Sequence, residues 1–245
     1  MSRALGFGAV ARAYERFRPE YPPDLADLVL TYADRPLRTA LEIGAGTGKA
    51  TRIFAARGIA VTATDPDPAM LAELRVPGVS TVRAAFEELA LERRYDLVYA
   101  AAALHWTAPE GRWSRMAALL EPGGIVASFG GPVLAADPAV RAAVSIAFRG
   151  DDAVPSPDGT PPEQRMRWPG TELLRSELFT DVRQEVLEHR LTLSAHDYLG
   201  YLGTLSATLR LAQAERERVL TRITAALPAR VEIIADITAH LARRT

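Results

Sequence analysis

The sequence predicts an α/β fold: a doubly wound, mostly parallel sheet with helices on both faces and a cap insertion. Three observations predict it. Short apolar runs alternate with stretches of helical period through the first half of the chain. The runs are apolar on both faces, as strands of a covered parallel sheet are. The first run ends in a glycine-rich turn, "ALEIGAGTGKA", residues 40–50.

Each element has its own signal. "PDLADLVLTYA" is an amphipathic helix ahead of the sheet. "RTALEIG" is a short buried strand entering the turn, and "KATRIFAARG" is a helix that stops at Gly58. "IAVTATD" is a second strand ending at Asp65, followed by "PAMLAELR", a helix opened by Pro68. "VSTVRAA" is a third strand, "FEELALE" a helical turn and "YDLVYAAAA" a fourth strand. "PEGRWSRMAALL" is a helix closed by the turn at Pro122 to Gly124, and "IVASFG" is a fifth strand. The second half is less regular. "AVPSPDGTPPEQ" reads as a mobile loop. "LFTDVRQEVLEHRLTL" reads as a strand, "SAHDYLGYLGTLSATLRL" and "AERERVLTRITAAL" as helices. The β-branched run in "ARVEIIADITAHLARR" favours a strand there too.

Composition narrows the function classes. The 245 residues are enough for one sizeable core, and 48% hydrophobic with 24% charged residues is ordinary for a globular protein. A net charge of -1 argues against a general binder of nucleic acid or of anionic membrane. Lys49 is the only lysine; the arginine and alanine bias reads as GC-rich coding, expected of a bacterial gene. The absence of cysteine excludes disulfides, thiolate metal sites and a cysteine nucleophile. His189, His196 and His240 show no metal-ligand spacing. The start of the chain lacks the apolar core of a signal peptide, and no run is long enough to cross a bilayer, so a cytoplasmic protein is expected.

Three nucleotides compete for the glycine turn. A P-loop needs a glycine at Ile43 and a hydroxyl at Ala50. A dinucleotide fingerprint needs a third glycine where Lys49 stands. The third reading uses Glu42. A carboxylate beside the turn repels a pyrophosphate but suits a ligand with a cationic end, such as S-adenosylmethionine (SAM). Asp65, at the tip of the next strand, then falls where a carboxylate accepts both ribose hydroxyls.

In order, "LEIGAGTG", "TATDPDPAML", "AAFEEL", "YDLVYAAAALHW" and "LLEPGGIV" resemble the successive motifs of class I SAM-dependent methyltransferases. They are most similar to the small-molecule branch that includes trans-aconitate and ubiquinone-pathway enzymes. "FGAVARAYERFRPEYP" resembles that branch's N-terminal segment, and the match covers about residues 7 to 130. The resemblance implies a Rossmann-like, seven-stranded sheet in a single domain over residues 1–245. It implies an N-terminal helical cover (1–35), a SAM-binding core (36–131) and a substrate cap (132–180 and 195–228).

It also implies residue roles. Gly44, Ala45 and Gly46 would lie against the methionine moiety, with Glu42 orienting the turn. Asp65 would hold the ribose; Pro66 and Met70 would face the adenine. Ala85, Phe86 and Glu87 would reach the adenine edge, although Phe86 departs from the commoner small residue or aspartate. Ala100 and Ala101 would leave room beside the sulfonium. Tyr14 would cap the pocket and Arg18 pair with the methionine carboxylate, or the two belong to an ordinary surface turn. His105 is either a general base or a residue that orients the substrate. Trp106 is a pocket wall or a packing residue. Tyr21 would face the substrate, as would Tyr198 and Tyr201 unless they pack in a core; Trp113 and Trp168 are structural or cap residues.

The leading function is methyl transfer to an O, N or C atom of a small-molecule acceptor by direct displacement, with S-adenosylhomocysteine as product. A SAM-binding enzyme of a non-methylating reaction, such as a cyclase, is the alternative within enzymes. A non-catalytic SAM-binding protein is the alternative outside them, and an NAD-dependent oxidoreductase is more distant.

Overall fold

A computed structural model of the chain describes residues 7–148, 156–161 and 163–245. Its strands are β1 (Thr39–Ile43), β2 (Ala60–Asp65), β3 (Ser80–Arg83), β4 (Tyr95–Ala101), β5 (Leu120–Gly130), β6 (Leu134–Ala135), β7 (Phe179–Leu187), β8 (Arg190–Ser194), β9 (Arg230–Ile234) and β10 (Ile237–Arg244). Its helices are α1 (Ala11–Phe17), α2 (Asp24–Ala33), α3 (Lys49–Ala55), α4 (Pro68–Glu73), α5 (Arg112–Leu119), α6 (Pro138–Ala147), α7 (Gly170–Arg175), α8 (Ala195–Gly203), α9 (Ser206–Leu209) and α10 (Gln213–Thr224).

The main sheet is seven-stranded and Rossmann-like, in the order β3-β2-β1-β4-β5-β10-β7. Its first five strands pair in parallel, and β10 runs antiparallel to both β5 and β7. Helices α2 and α3 pack on one face around Leu25, Val29, Phe54 and Tyr99. Helices α5 and α7 cover the other face through Met116, Leu119 and Leu173, with Trp113 and Trp168 against them. The turn at Pro122–Gly124 is drawn into β5, and the register against β4 shifts there between Tyr95 and Leu97.

The two long strands read in the second half are each divided between two sheets. β7 pairs with β10 in the main sheet, while β8 pairs with β9, and β9 with β6, in a second, three-stranded sheet. Register runs from Ile237 opposite Leu187 to Ile234 opposite Arg190, so one antiparallel ribbon passes from sheet to sheet. At the crossing Ala235 N–H donates to the His189 carbonyl (2.8 Å) and His189 N–H to Asp236 Oδ1 (3.0 Å). The second sheet and α6, α8 and α10 share their own apolar core, with Val140, Tyr198, Tyr201, Ile223 and Ile233 at its centre. Helix α7, inside the span expected to be cap, lies on the main sheet instead.

Helices α6 and α7 have no counterpart in the pattern reading. The signal for α6 was present: Asp137 caps it by accepting from Ala139 N–H (2.7 Å), with Pro138 as its first residue. In the proline-rich stretch 153–164, residues 153–155 and 162 lie outside the described residues. The described part has no strand or helix, but Asp158 accepts from Ser156, Thr160 and Thr171 and so pins it to α7.

Gly131 sits where β5 leaves the main sheet for β6. A Cβ placed there would lie 2.0 Å from the Asp236 carbonyl oxygen, whereas one on Gly130 would meet nothing within 4 Å. We expect Gly131→Ala to destabilise the protein by about 1–3 kcal/mol through overpacking. In urea unfolding, Gly130→Ala is the matched control. Equal effects of the two would mean that the crossing is not tightly packed.

Candidate functional site

The strand order reverses between β1 and β4, and the carboxyl ends of β1, β2 and β4 meet there. Open α/β sheets bind ligands at this point. The turn after β1 needs its glycines: Gly44, Gly46 and Gly48 have φ of +64°, +56° and +86°. A Cβ on Gly44 would lie 2.5 Å from the Ala103 Cβ. Asp65, at the end of β2, fastens the turn. Its Oδ2 accepts from Gly46 N–H (2.9 Å) and its Oδ1 from Asp67 N–H (2.8 Å). Burial nevertheless pushes the Asp65 carboxyl above the usual carboxylate value, against those two hydrogen bonds.

Glu42 lies fully inside, behind the turn. Its Oε2 accepts from Thr51 Oγ1 and from Tyr99 Oη (2.9 Å). Desolvation outweighs these hydrogen bonds and raises its pKa to about 7. The two cations nearest the turn are already committed. Lys49 Nζ donates to Glu20 Oε1 (2.6 Å) and to the Glu15 carbonyl (2.8 Å), while Arg52 pairs with Glu15 and Glu20. The turn thus has a carboxylate behind it and no uncommitted lysine or arginine on α3. That donor set fits a ligand with a cationic end and a ribose better than one with a pyrophosphate.

A cavity of about 980 Å³ opens from the turn, at the upper end of the roughly 300–1,000 Å³ of small-molecule sites. On the main-sheet side it is lined by Gly44, Gly46, Asp65, Pro66 and Met70, and by Ala85, Phe86 and Glu87. The Phe86 carbonyl is taken by Arg115 Nε (2.7 Å), and Glu87 accepts from Ala108 N–H (2.7 Å). Tyr14, Arg18, His105, Trp106, Tyr198 and Tyr201 complete the wall. A smaller recess of about 110 Å³ extends behind the turn, lined by Glu42, Ala45, Thr47 and Tyr21. The Thr47 hydroxyl is buried there without a hydrogen-bond partner.

Several residues stand differently from their expected places. Ala100 is in the sheet core and does not reach the cavity; Ala101, Ala102 and Ala103 do. Ala102 holds a left-handed φ of +51°, which turns the chain out of β4. Tyr21 faces the small recess rather than the large cavity, and its hydroxyl is shifted upward by burial. Ala45 N–H is spent on the Thr64 carbonyl (2.8 Å). Arg18 donates from Nε and Nη2 to Thr204 (2.9 and 3.0 Å) and lies over the rings of Tyr14 and Tyr201. It thereby ties the N-terminal segment to α8. Tyr198 and Tyr201 are both core and wall: they are buried yet line the cavity, and burial raises Tyr198 to about 12.

His105 sits in a short 3₁₀ turn, Leu104–Trp106, exposed towards the cavity. Loss of solvation, and then the Arg112 guanidinium, lower its pKa below the ordinary imidazole value, so it is neutral at pH 7. Among the described residues its ring has one aromatic neighbour, Trp106 at 4.6 Å, and no hydrogen bond that orients it. Phe7, which pattern reading passed over, contacts both Tyr14 and Trp106 edge-on and lines the cavity mouth with them. Arg83, Arg141 and Arg210 also line the cavity and carried no motif. No group of three or more candidate metal ligands occurs among the described residues, and no helix there is long and apolar enough to cross a membrane.

Residues 41–128, which run from β1 through most of β5, match the family model of a methyltransferase domain. That stretch is similar to a methyltransferase domain. SAM is the cofactor of such a domain. The chain is 41% identical over 124 residues to an uncharacterized methyltransferase of Mycobacterium tuberculosis, covering 49% of this chain and 50% of that one. It is 34% identical over 119 residues to a trans-aconitate 2-methyltransferase of Methylobacterium radiotolerans, covering 46% of each. The chain thus spans about half the length of the curated relatives it matches. A solved structure from Anaeromyxobacter dehalogenans, provisionally classed as a type II methyltransferase, is 26% identical with a TM-score of 0.65. The match covers 93% of this chain and 98% of that one, so the likeness in fold extends over the second core as well.

Glu42 makes the stability of the ligand-free protein depend on pH. Its folded pKa of about 7 lies above the ordinary 4.5. The folded state therefore keeps a proton that the unfolded chain has released. Stability from this group is complete below about pH 4.5 and is lost as pH rises through about 7. Between pH 5 and pH 8 wild type should lose roughly 2–3 kcal/mol more than Glu42→Gln in urea unfolding. The same pH dependence in both proteins would mean that Glu42 is ionised in the fold throughout.

Proposed function

We propose that this protein transfers a methyl group from SAM to a small-molecule acceptor held between the main sheet and the second core. The observation that carries the reading is the shape of the cavity. One continuous space joins the glycine turn and Asp65 to an apolar chamber walled by the second core. Such a space suits two ligands side by side, and the donor set at the turn suits SAM. The names of the curated relatives agree with this reading, and for one of them the acceptor is trans-aconitate.

The roles follow from position. Asp65 accepts from the ribose hydroxyls with the lone pairs that Gly46 and Asp67 leave open. Gly44 and Gly46 let the backbone approach the methionine part, whose cationic end is favoured by Glu42, and Thr47 offers a hydroxyl in the recess. Pro66 and Met70 face the adenine, and Ala85, Phe86 and Glu87 its edge. Residues of 7–35 form a cover, those of 36–131 the cofactor core, and those around 132–148 and 190–234 the wall on the acceptor side. When bound, SAM supplies a methyl carbon activated by a sulfonium whose departure leaves a neutral thioether. The residues' part is to align and to dry the site. Fixing two partners in line is worth up to about 7–11 kcal/mol. The small side chains of Ala101 and Ala103 leave room for that line beside β4, and Phe7, Tyr14 and Trp106 exclude water. Neutral His105 accepts the proton of a hydroxyl or amine acceptor; a carboxylate acceptor needs no base.

Titration calorimetry with SAM, S-adenosylhomocysteine and NAD tests the cofactor. Binding of the two adenosyl ligands alone is expected; NAD alone would overturn the reading. Asp65→Ala should weaken SAM binding by about 1.5–3 kcal/mol through loss of charge-assisted hydrogen bonds. Wild-type affinity in that variant would remove Asp65 from the ribose. With an acceptor in hand, His105→Ala should lower turnover about 100-fold or more at unchanged SAM affinity if the histidine takes the proton. A change under threefold would leave it as a wall.

A further inference from the structure

The acids that line the cavity are confined to one side, where Arg83 at the end of β3 accompanies them. The acidic residues that line it, Asp65, Glu87 and Glu88, all come from the main-sheet side. The wall supplied by the second core and its approach is apolar, through Val133, Val144, Phe148 and Leu205, and it carries Arg141 on α6 and Arg210 at the end of α9. Among the described residues, no aspartate or glutamate of the second core lines the cavity with Arg141. Arg141 is half-buried, and among the described residues its side chain has no hydrogen-bond or ion-pair partner. A guanidinium held at an apolar wall, as that of Arg141 is, is a place where an anion gains far more than in water.

We propose that the acceptor is an apolar organic molecule bearing a carboxylate, and that Arg141 holds that carboxylate as a recognition handle. This rests on the methyltransferase reading of the same cavity and deepens it. Arg141 belongs to the second core, whereas the small residues beside the reacting methyl, Ala101 and Ala103, lie at the end of β4 and just beyond it in the main sheet. The handle is therefore a different group from the atom that is methylated. The planar fork of arginine matches a carboxylate with two parallel hydrogen bonds, which lysine cannot reproduce.

The test uses neutral and charged probes of the same shape: 2-naphthoate against 2-naphthamide, and octanoate against octanamide. Each is titrated calorimetrically into the full chain, with and without S-adenosylhomocysteine. At least one acid should bind about tenfold or more tightly than its amide. Arg141→Gln should reduce that preference to below threefold, and Arg141→Lys should restore part of it. Both variants should keep wild-type S-adenosylhomocysteine affinity and melting temperature, which separates loss of the handle from loss of the fold. Equal binding of acid and amide, an unchanged preference in Arg141→Gln, or no binding of any probe at millimolar concentration would overturn the proposal. The two readings fail separately. Adenosyl binding without an acid preference removes only the handle, and an acid preference without adenosyl binding removes only the cofactor reading.

Discussion

The carboxylate of Asp65 is the fastening on which the site depends. The turn from β1 to α3 contains three left-handed glycines and would have many conformations on its own. One hydrogen bond to Gly46 and one to Asp67 lock that turn to the next loop, so the ends of β1 and β2 move as one body. Glu42 and Thr51 repeat the fastening from beneath, and Tyr99 extends it to β4. Three neighbouring strands are thus joined at their carboxyl ends by buried carboxylates, not only by the ladder. The cost is visible in both acids, whose pKa values burial drives upward. Buried carboxylates of raised pKa cluster at functional sites because such a site asks for charge where stability does not.

The cover over this site depends on charge in a different way. The N-terminal segment reaches the turn through Glu15 and Glu20, which engage Lys49 and Arg52 on α3. Lys49 stands where a dinucleotide-binding turn would have its third glycine. Its side chain is buried, and it connects the cover to the helix that follows the turn. Arg18 fastens the other end of the segment to Thr204. The segment therefore bridges the main sheet and the second core, and Phe7, Tyr14 and Trp106 meet beneath it.

How much of this was legible in the sequence depended on how local the cause was. The first five strands and α2 to α5 were readable because apolar runs, glycines and prolines set them residue by residue. Asp65 lies 19 residues beyond Gly46, but the two could be placed together because each follows or ends a strand, and neighbouring parallel strands bring their carboxyl ends side by side. Ala100 was misplaced against Ala101 because strand parity at the end of β4 is decided by the left-handed Ala102, which carries no glycine to announce it. Arg18 has a side chain long enough for many partners, and the one it finds, Thr204, is 186 residues away. The second core was legible only as helices and strands of unknown destination. A continuous β pattern in 179–194 does not reveal that its two ends belong to different sheets, since both ends are equally good strands. Arg141 and Arg210 were invisible for a related reason: in an arginine-rich chain, a pocket arginine looks like any other.

The ribbon made by β7 and β8 against β9 and β10 has a mechanical meaning. Two adjacent chains cross together from one sheet to the other, and they stay hydrogen-bonded at the crossing through Ala235, His189 and Asp236. A single connecting chain would act as a string, free to twist. A paired ribbon acts as a leaf spring: it is stiff to twisting and sliding, and it yields only by flexing across its flat face. Any breathing of the second core against the main sheet is thereby confined to one direction, and the ribbon returns it to the same place. A wall that opens and shuts along a single track brings the two sides of the cavity back to the same spacing each time.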